Sequence, residues 1–373
     1  MIIQKVNTRS TSDVKKFIAF SFELYIKSPF WVPPFISDMR NVMDRDKHPY
    51  YAHSDADFYL AVQNGKVLGR IALLEKRKYN EYHNEKCAFF YFFDTVNEQD
   101  VAMALFQQAE MWARERALTN ILGPFGFIQG DSIGILVDGH DRRPALGQAY
   151  NYDYYNDLVQ SAGFSKKADF YSGYLRGDHQ LPERFFSIAD NVKQKRGFWI
   201  KSFGNKKELR DWIEPVQQVY NAAFSHNLGY SPMSLEEAHV VAHRLLAIGN
   251  PRLIKLVMKG EDIIGFLFAF VDITDGLRKT RGRMWPVGWT HLARDLKKTE
   301  WINFNGTGIL PGHRGLGANA VLYTEMARTV KEFGFKHADV VQIEEQNVKS
   351  MGDMSAIGVQ WYKKHRVYEK ILR

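Results

Sequence analysis

Phe58-Tyr59-Leu60-Ala61-Val62-Gln63-Asn64-Gly65-Lys66-Val67-Leu68-Gly69-Arg70-Ile71-Ala72 reads as a strand, a two-residue turn and a second strand. Asn64-Gly65 supplies the two positive-φ positions that a tight hairpin needs. The pattern returns at Leu253-Ile254-Lys255-Leu256-Val257-Met258-Lys259-Gly260-Glu261-Asp262-Ile263-Ile264-Gly265-Phe266-Leu267. Gly69 and Gly265 hold the same place in the two hairpins and are 196 residues apart.

The flanking segments repeat in the same order. Amphipathic periodicity predicts a helix before each hairpin, over 13–26 and 208–224. After each hairpin come a strand and a helix: 88–94 and 100–118 in the first copy, 301–310 and 316–335 in the second. Short strands follow at 120–123 and 337–343, and a last helix stops at Gly163-Phe164 or Gly358-Val359, a spacing of 195 residues. The copies differ in their insertions, 125–151 in the first and 273–300 in the second. The chain therefore reads as α/β in class, a tandem repeat of a β-α-β-β-β-α-β-α-β unit joined near 176–182. Residues 1–178 form the first expected unit and 179–373 the second. Each is expected to be a mixed, mostly antiparallel sheet flanked by helices.

Composition narrows the function classes. The chain has 373 residues, 45% apolar and 25% charged, which excludes disordered or collagen-like character. Cys87 is the only cysteine, so no internal disulfide and no thiolate-rich metal site can form. A reducing, cytoplasmic setting fits. The longest uncharged apolar stretch, 263–271, has nine residues, well short of a membrane-spanning helix. The first residues alternate like a strand and lack a signal peptide's apolar region. A formal charge of +8 permits anionic ligands, but no run of five basic residues marks a nucleic-acid footprint. Histidines are scattered without ligand spacing, so no metal is expected.

The most informative chemistry lies at Thr307-Gly308-Ile309-Leu310-Pro311-Gly312-His313-Arg314-Gly315-Leu316-Gly317-Ala318-Asn319-Ala320. A strand ends at Leu310, and a glycine-rich loop with one arginine opens a helix. Converging backbone N–H groups at a helix N-terminus suit a pyrophosphate, and Arg314 is expected to add a full charge beside it. Arg314-x-x-Gly317-x-Asn319, with Pro311 three residues before the arginine, resembles the acyl-CoA loop of the GCN5-related N-acetyltransferases. Asn347 after the fifth strand, and Gly358-Val359 eleven residues later, extend the resemblance, as does the order of elements in both halves.

The resemblance implies an N-acyltransferase that takes acetyl-CoA or another acyl-CoA as co-substrate. On it, the second unit binds the cofactor through Ile309, Leu310, His313, Arg314, Gly315, Leu316, Gly317, Ala318 and Asn319. Ile309 and Leu310 would grip the pantetheine arm through backbone groups on a splayed strand. Amine attack on a thioester needs a base, and Glu344 and Glu345 close the neighbouring strand. Alternation favours Glu344 as the inward one of the pair; both can equally be an exposed strand end. Asn347 would orient a water or the pantetheine amide, or cap the last helix. Two positions depart from the family pattern. Asn319 replaces a glycine or alanine, which requires its side chain to point away from the phosphates. Met354 replaces a tyrosine that serves as general acid, so the acid is missing or supplied elsewhere; Tyr362 and Tyr323 are candidates, and spacing selects neither. The first copy has Val96-Asn97-Glu98-Gln99-Asp100 at the loop position, where carboxylates would repel a pyrophosphate, so this unit reads as degenerate.

Competing readings are a catalytically silent binding protein that keeps the fold, and a serine hydrolase built on Gly130-Asp131-Ser132-Ile133-Gly134. The hydrolase elbow needs a helix directly after the serine, whereas Ile135-Leu136-Val137 reads as a strand. The dinucleotide fingerprint at 315–320 lacks the βα units it would need downstream. Aromatic residues mixed with basic ones at Phe30-Trp31-Val32-Pro33-Pro34-Phe35 and Arg283-Met284-Trp285-Pro286-Val287-Gly288-Trp289 pack between domains or permit a peripheral membrane contact. They make a small-molecule or lipid-like amine the expected acceptor.

Overall fold

A computed structural model describes residues 1–286 and 288–372. Val287, within the second aromatic stretch, lies outside them, as does Arg373. The chain opens with β1 (Ile2–Lys5), α1 (Thr11–Leu24) and α2 (Ile36–Met43). The hairpin β2 (Asp55–Gln63) and β3 (Lys66–Glu75) follows, then α3 (Arg77–His83), β4 (Cys87–Thr95), α4 (Gln99–Glu115) and β5 (Asn120–Gly123). Next come β6 (Ile135–Asp138), α5 (Tyr155–Ser161), β7 (Ser165–Arg176), α6 (Glu183–Arg196) and β8 (Phe198–Ser202). α7 (Lys206–Arg210), α8 (Ile213–Phe224) and α9 (Leu235–Ile248) precede the second hairpin, β9 (Ile254–Lys259) and β10 (Asp262–Val271). The insertion forms α10 (Thr274–Thr280) and α11 (Gly288–Lys298). The chain ends with β11 (Trp301–Ile309), α12 (Ala318–Phe333), β12 (His337–Glu344), α13 (Val348–Ile357) and β13 (Gln360–Ile371).

Two compact units result: Met1–Phe170 with Thr274–Leu292 and Lys363–Arg373, and Tyr171–Ile273 with Ala293–Tyr362. They are not the contiguous halves 1–178 and 179–373. The reason is in the pairing of the last strand. Tyr368 to Ile371 of β13 run antiparallel to β5, from Gly123 back to Asn120, and Lys364 to Arg366 pair with β6. Local patterning marks Lys363–Ile371 as a strand but says nothing about its partner.

In the first unit β1, β2, β3 and β4 are antiparallel neighbours, and β4 runs parallel to β5. The hairpin turn has the expected geometry, with Asn64 at φ 51° and Gly65 at φ 76°. Alternation gives the sheet two faces. Tyr59, Ala61, Ile71 and Leu73 pack with Leu105, Phe106, Ala109 and Trp112 of α4, while Phe17 of α1 meets Phe58 edge to face at 5.3 Å. Gly69 sits under α4, where a Cβ would come within 2.9 Å of Leu105.

The second unit repeats the plan: β8, β9, β10 and β11 are antiparallel neighbours and β11 runs parallel to β12. One face carries Val257, Leu267 and Ala269 against α6, α12 and α13. The other carries Leu256, Met258, Phe266 and Phe270 against Val219 and Ala223 of α8. Gly265 is again tight, with a Cβ position 2.4 Å from Ile309 Cδ1. The helix expected over 208–224 is broken at Asp211-Trp212. Pro215 has no N–H to continue a helix from Asp211, so a new helix starts with the proline in its first turn.

Candidate functional site

The parallel ladder between β11 and β12 is short. It runs from Trp301 opposite His337 to Phe304 opposite Val340 and then stops, although β11 continues to Ile309 and β12 to Glu344. The strands splay at a bulge: across from β10, Phe268 faces Gly306 and Ala269 faces Phe304, leaving Asn305 as the extra residue. Alternate backbone groups of residues 305–309 therefore face the opening instead of a neighbouring strand.

The loop that follows leaves a row of backbone N–H groups without partners. After the turn Pro311–His313, Gly315 adopts φ 74° and Gly317, the N-cap of α12, φ 88°. Among the described residues the amides of Gly315, Leu316, Gly317, Ala318 and Asn319 have no hydrogen-bond partner. Five such donors at the positive end of a 16-residue helix form the cradle expected for a pyrophosphate.

The Arg314 side chain is itself engaged within the fold. Its Nε donates to the Ile309 carbonyl at 3.1 Å and its Nη2 to the Ala223 carbonyl at 2.7 Å, so the guanidinium ties the loop to β11 and α8. The backbone of Leu310 is also engaged: its N–H donates to Ile264 O, and its carbonyl accepts from His313 N–H. The Ile309 carbonyl and both Leu310 groups are thus spent on holding the loop, which leaves the loop amides and residues 305–308 to meet a ligand. His313 packs near Phe198, with its buried Nδ1 unpartnered. Asn319 turns to α13, where its Nδ2 donates to Asp353 Oδ2 at 2.6 Å. Asn347 caps α13 by accepting from Ser350 N–H at 3.1 Å.

Glu344 ends β12 half-buried, and its Oε2 accepts from Leu228 N–H at 3.4 Å. Burial raises its pKa above the usual carboxylate value, opposed by the Leu228 bond and reinforced by the neighbouring Glu345. Glu345 itself lies in the turn after the strand. Met354 is buried in the core. Of the two tyrosines that could replace the missing acid, Tyr362 donates to Asp339 Oδ1 at 2.6 Å. Tyr323 packs near Phe185 with its pKa pushed up by burial.

Sequence reasoning missed the wall opposite this strand. The α8–α9 connection brings Leu228 over Glu344, and it is pinned by Asn221, whose Nδ2 donates to Met233 O at 3.0 Å while its Oδ1 accepts from Met233 N–H at 2.9 Å. Beside Gly306 stands an aromatic group: Tyr220 stacks on Phe266, Phe266 on Phe268, and Phe224 meets Phe266 edge to face. The signal for α9 was in the sequence, as Ser234-x-x-Glu237, and both bonds of that capping box form.

The corresponding place in the first unit is filled. Arg70 donates to Asp94 from Nε at 2.7 Å, with Nη2 at 2.6 Å, and Tyr25 donates to the same carboxylate at 2.9 Å. Phe92, at φ 47°, occupies the matching bulge among Phe17, Tyr91 and Phe127. No glycine loop precedes α4. Ser132 is no nucleophile elbow: β6 follows it instead of a helix, and its hydroxyl shares a hydrogen bond with Tyr91 OH at 2.8 Å. Cys87 is buried, which raises its thiol pKa and keeps it protonated.

No family model matches the chain. It is 24% identical over 368 residues to Protein YghO of Escherichia coli, covering 96% of this chain and 93% of that protein. It is 23% identical over 377 residues to the bacterial ceramide synthase of Caulobacter vibrioides, covering 98% and 97%. Among solved structures, the tandem GNAT protein from the clavulanic acid biosynthesis pathway aligns with a TM-score of 0.57 at 10% identity, over 99% of this chain and 98% of that one. The chain has the GCN5-related N-acetyltransferase fold, in two units.

Proposed function

We propose that the chain is an acyl-CoA-dependent N-acyltransferase in which the second unit binds the thioester and an amine with an apolar chain accepts the acyl group. The observation that carries the reading is the pairing of two features in one unit. A strand pair opens at the Asn305 bulge, and five free amides stand at the start of the helix that follows. The first unit has neither an open bulge nor a glycine loop.

The chemistry follows from these parts. Acyl-CoA supplies the activated carbonyl. The loop amides would hold its phosphates, and free backbone N–H groups between Asn305 and Gly308 would polarise the thioester carbonyl as the tetrahedral intermediate forms. Glu344, whose raised pKa makes its carboxylate a stronger base, would take the proton from the attacking ammonium or amine, directly or through water. As the intermediate collapses to the amide the C–S bond breaks, and CoA leaves as a thiolate that is protonated by solvent water or by the proton Glu344 has taken. Tyr220, Phe224 and Phe268 offer the apolar contact that a long-chain amine needs. The similarity to a protein named ceramide synthase supports an acceptor of that kind.

A silent binding protein is the second reading, favoured by the buried Met354 at the position of the acid. One experiment separates the two. Gly315 has open space around its Cβ position and a positive φ, which aspartate and asparagine tolerate better than most residues. Gly315→Asp places a carboxylate in the amide cradle, and Gly315→Asn is its neutral control. Thermal shift with CoA, acetyl-CoA and a long-chain acyl-CoA should show stabilisation in wild type and in Gly315→Asn, and none in Gly315→Asp. Turnover with a long-chain amine, followed by released thiol, then distinguishes an enzyme from a binder. No shift with any thioester would sink both readings.

A further inference from the structure

Outside the site, the segment from α10 to the start of α11 holds out side chains whose chemistry nothing in the fold uses. It is firmly mounted. Gly282 is wedged against the α1–α2 connection: a Cβ there would stand 2.1 Å from Pro34 O, and Gly282 O accepts from Ile36 N–H at 3.1 Å. Trp289 N–H donates to Met284 O at 3.0 Å and closes the loop, while Leu277 and Leu292 anchor its two ends in the interior.

The tip presents Trp285, 81% exposed, with Trp289 at 54% and Met284 at 43%. Just before these in the chain come Arg278, Lys279, Arg281 and Arg283, all exposed and without an ion pair among the described residues. Asp275 is the only acid from Thr274 to Trp289. Ile26, 61% exposed, and Lys27 extend the same chemistry just past α1, whose Phe22 ring comes 3.5 Å from the Gly282 Cβ position. Large apolar side chains fixed in water are unfavourable unless something covers them. Here four unpaired cations accompany them within the same short segment, so the matching surface is one with both apolar and anionic parts. Tryptophan prefers the headgroup level of a bilayer, and arginine and lysine are attracted by anionic lipid headgroups.

We propose that Arg278, Lys279, Arg281, Arg283, Met284, Trp285 and Trp289 form a docking surface for an anionic lipid bilayer, with Trp285 and Met284 entering the headgroup region and the basic side chains on the lipid phosphates. The docking stands on this surface alone. Its use, to bring the chain to a membrane where an apolar amine resides, rests on the acyltransferase reading.

The test is co-sedimentation of the full chain with vesicles of phosphatidylcholine, and with vesicles of phosphatidylcholine and phosphatidylglycerol in equal parts. Wild type should partition to the mixed vesicles, weakly to the neutral ones, and be released by salt. Lys279→Glu with Arg283→Glu should lower partition by about tenfold or more. Trp285→Ala should lower it while leaving the salt dependence in place. Acyl-CoA thermal shifts on the same variants check that they are folded. Vesicle binding without a thioester shift would keep the docking and remove the acyltransferase reading; the reverse would do the opposite. Charge-reversed protein that partitions like wild type would overturn the proposal. So would wild type that ignores both vesicles, including one whose size on gel filtration shows that Trp285 instead joins two copies of the chain.

Discussion

Glu344 is a carboxyl held where it is costly to ionise. Its folded pKa is raised, chiefly by burial, so the folded protein holds this proton at pH values where the unfolded chain has released it. The charged form therefore subtracts stability as pH rises through the ordinary glutamate value, and the deficit is complete above the raised folded value. Activity that depends on the ionised base should rise over that higher window. Glu344→Gln is expected to lose about a hundredfold or more in turnover, to lose this pH limb, and to melt higher than wild type near neutral pH. Acyl-CoA shifts should persist. A variant that keeps wild-type turnover would remove Glu344 from the chemistry. At this scale the sequence was readable where the demand on the backbone is local, as at Asn64-Gly65. At Arg314 the residue type announces a charge, but not that Ile309 and Ala223 carbonyls will engage it.

Between elements, the contact that fixes the glycine loop is a helix that periodicity alone did not single out. α6 lies against the start of α12, and a Cβ on Gly317 would stand 2.6 Å from Val192 Cγ2 and 3.2 Å from Ile188 Cγ2. Gly317→Val adds that clash to a positive φ that a β-branched residue resists. The expected cost is about 3 kcal/mol, a fall in melting temperature of about 6 °C or more, with acyl-CoA binding weakened as the loop shifts. Melting at the wild-type temperature would show that α6 yields freely. The glycine in the motif thus has a packing reason beside its ligand reason. Only the second was legible, since the residues that crowd Gly317 come from more than a hundred positions earlier in the chain. α9 was legible in its capping box, Ser234-x-x-Glu237, whereas α2, which holds the matching place before the first hairpin, has no side-chain cap to announce it.

For the whole molecule, the repeat was visible because each copy must satisfy the same local rules twice, in hairpin, helix start and glycine stop. The allotment of the last strand was not visible, since a strand's partner is chosen by the sheet that lacks one. β5 and β6 take Lys364–Ile371, and Arg366 adds two hydrogen bonds to the buried Asp169, at 2.7 and 3.0 Å. A chain ended at Tyr362 is expected to keep the second unit's protection from hydrogen exchange while the first loses it along β5 and β6. A synthetic peptide of residues 363–372 supplied in trans should restore that protection. Equal loss in both units, or none, would contradict this allotment.

The same strand sets a timetable for biosynthesis. Most of the first unit leaves the ribosome early, yet it also needs Thr274–Leu292 and then Lys363 onward, which is made after every segment of the second unit. Until then β5 presents an unpaired edge, whereas the second unit has every one of its segments by Tyr362. Folding on the ribosome should therefore run against the order of synthesis, with the later-made unit complete first, and the nascent first unit is where a chaperone would be most needed.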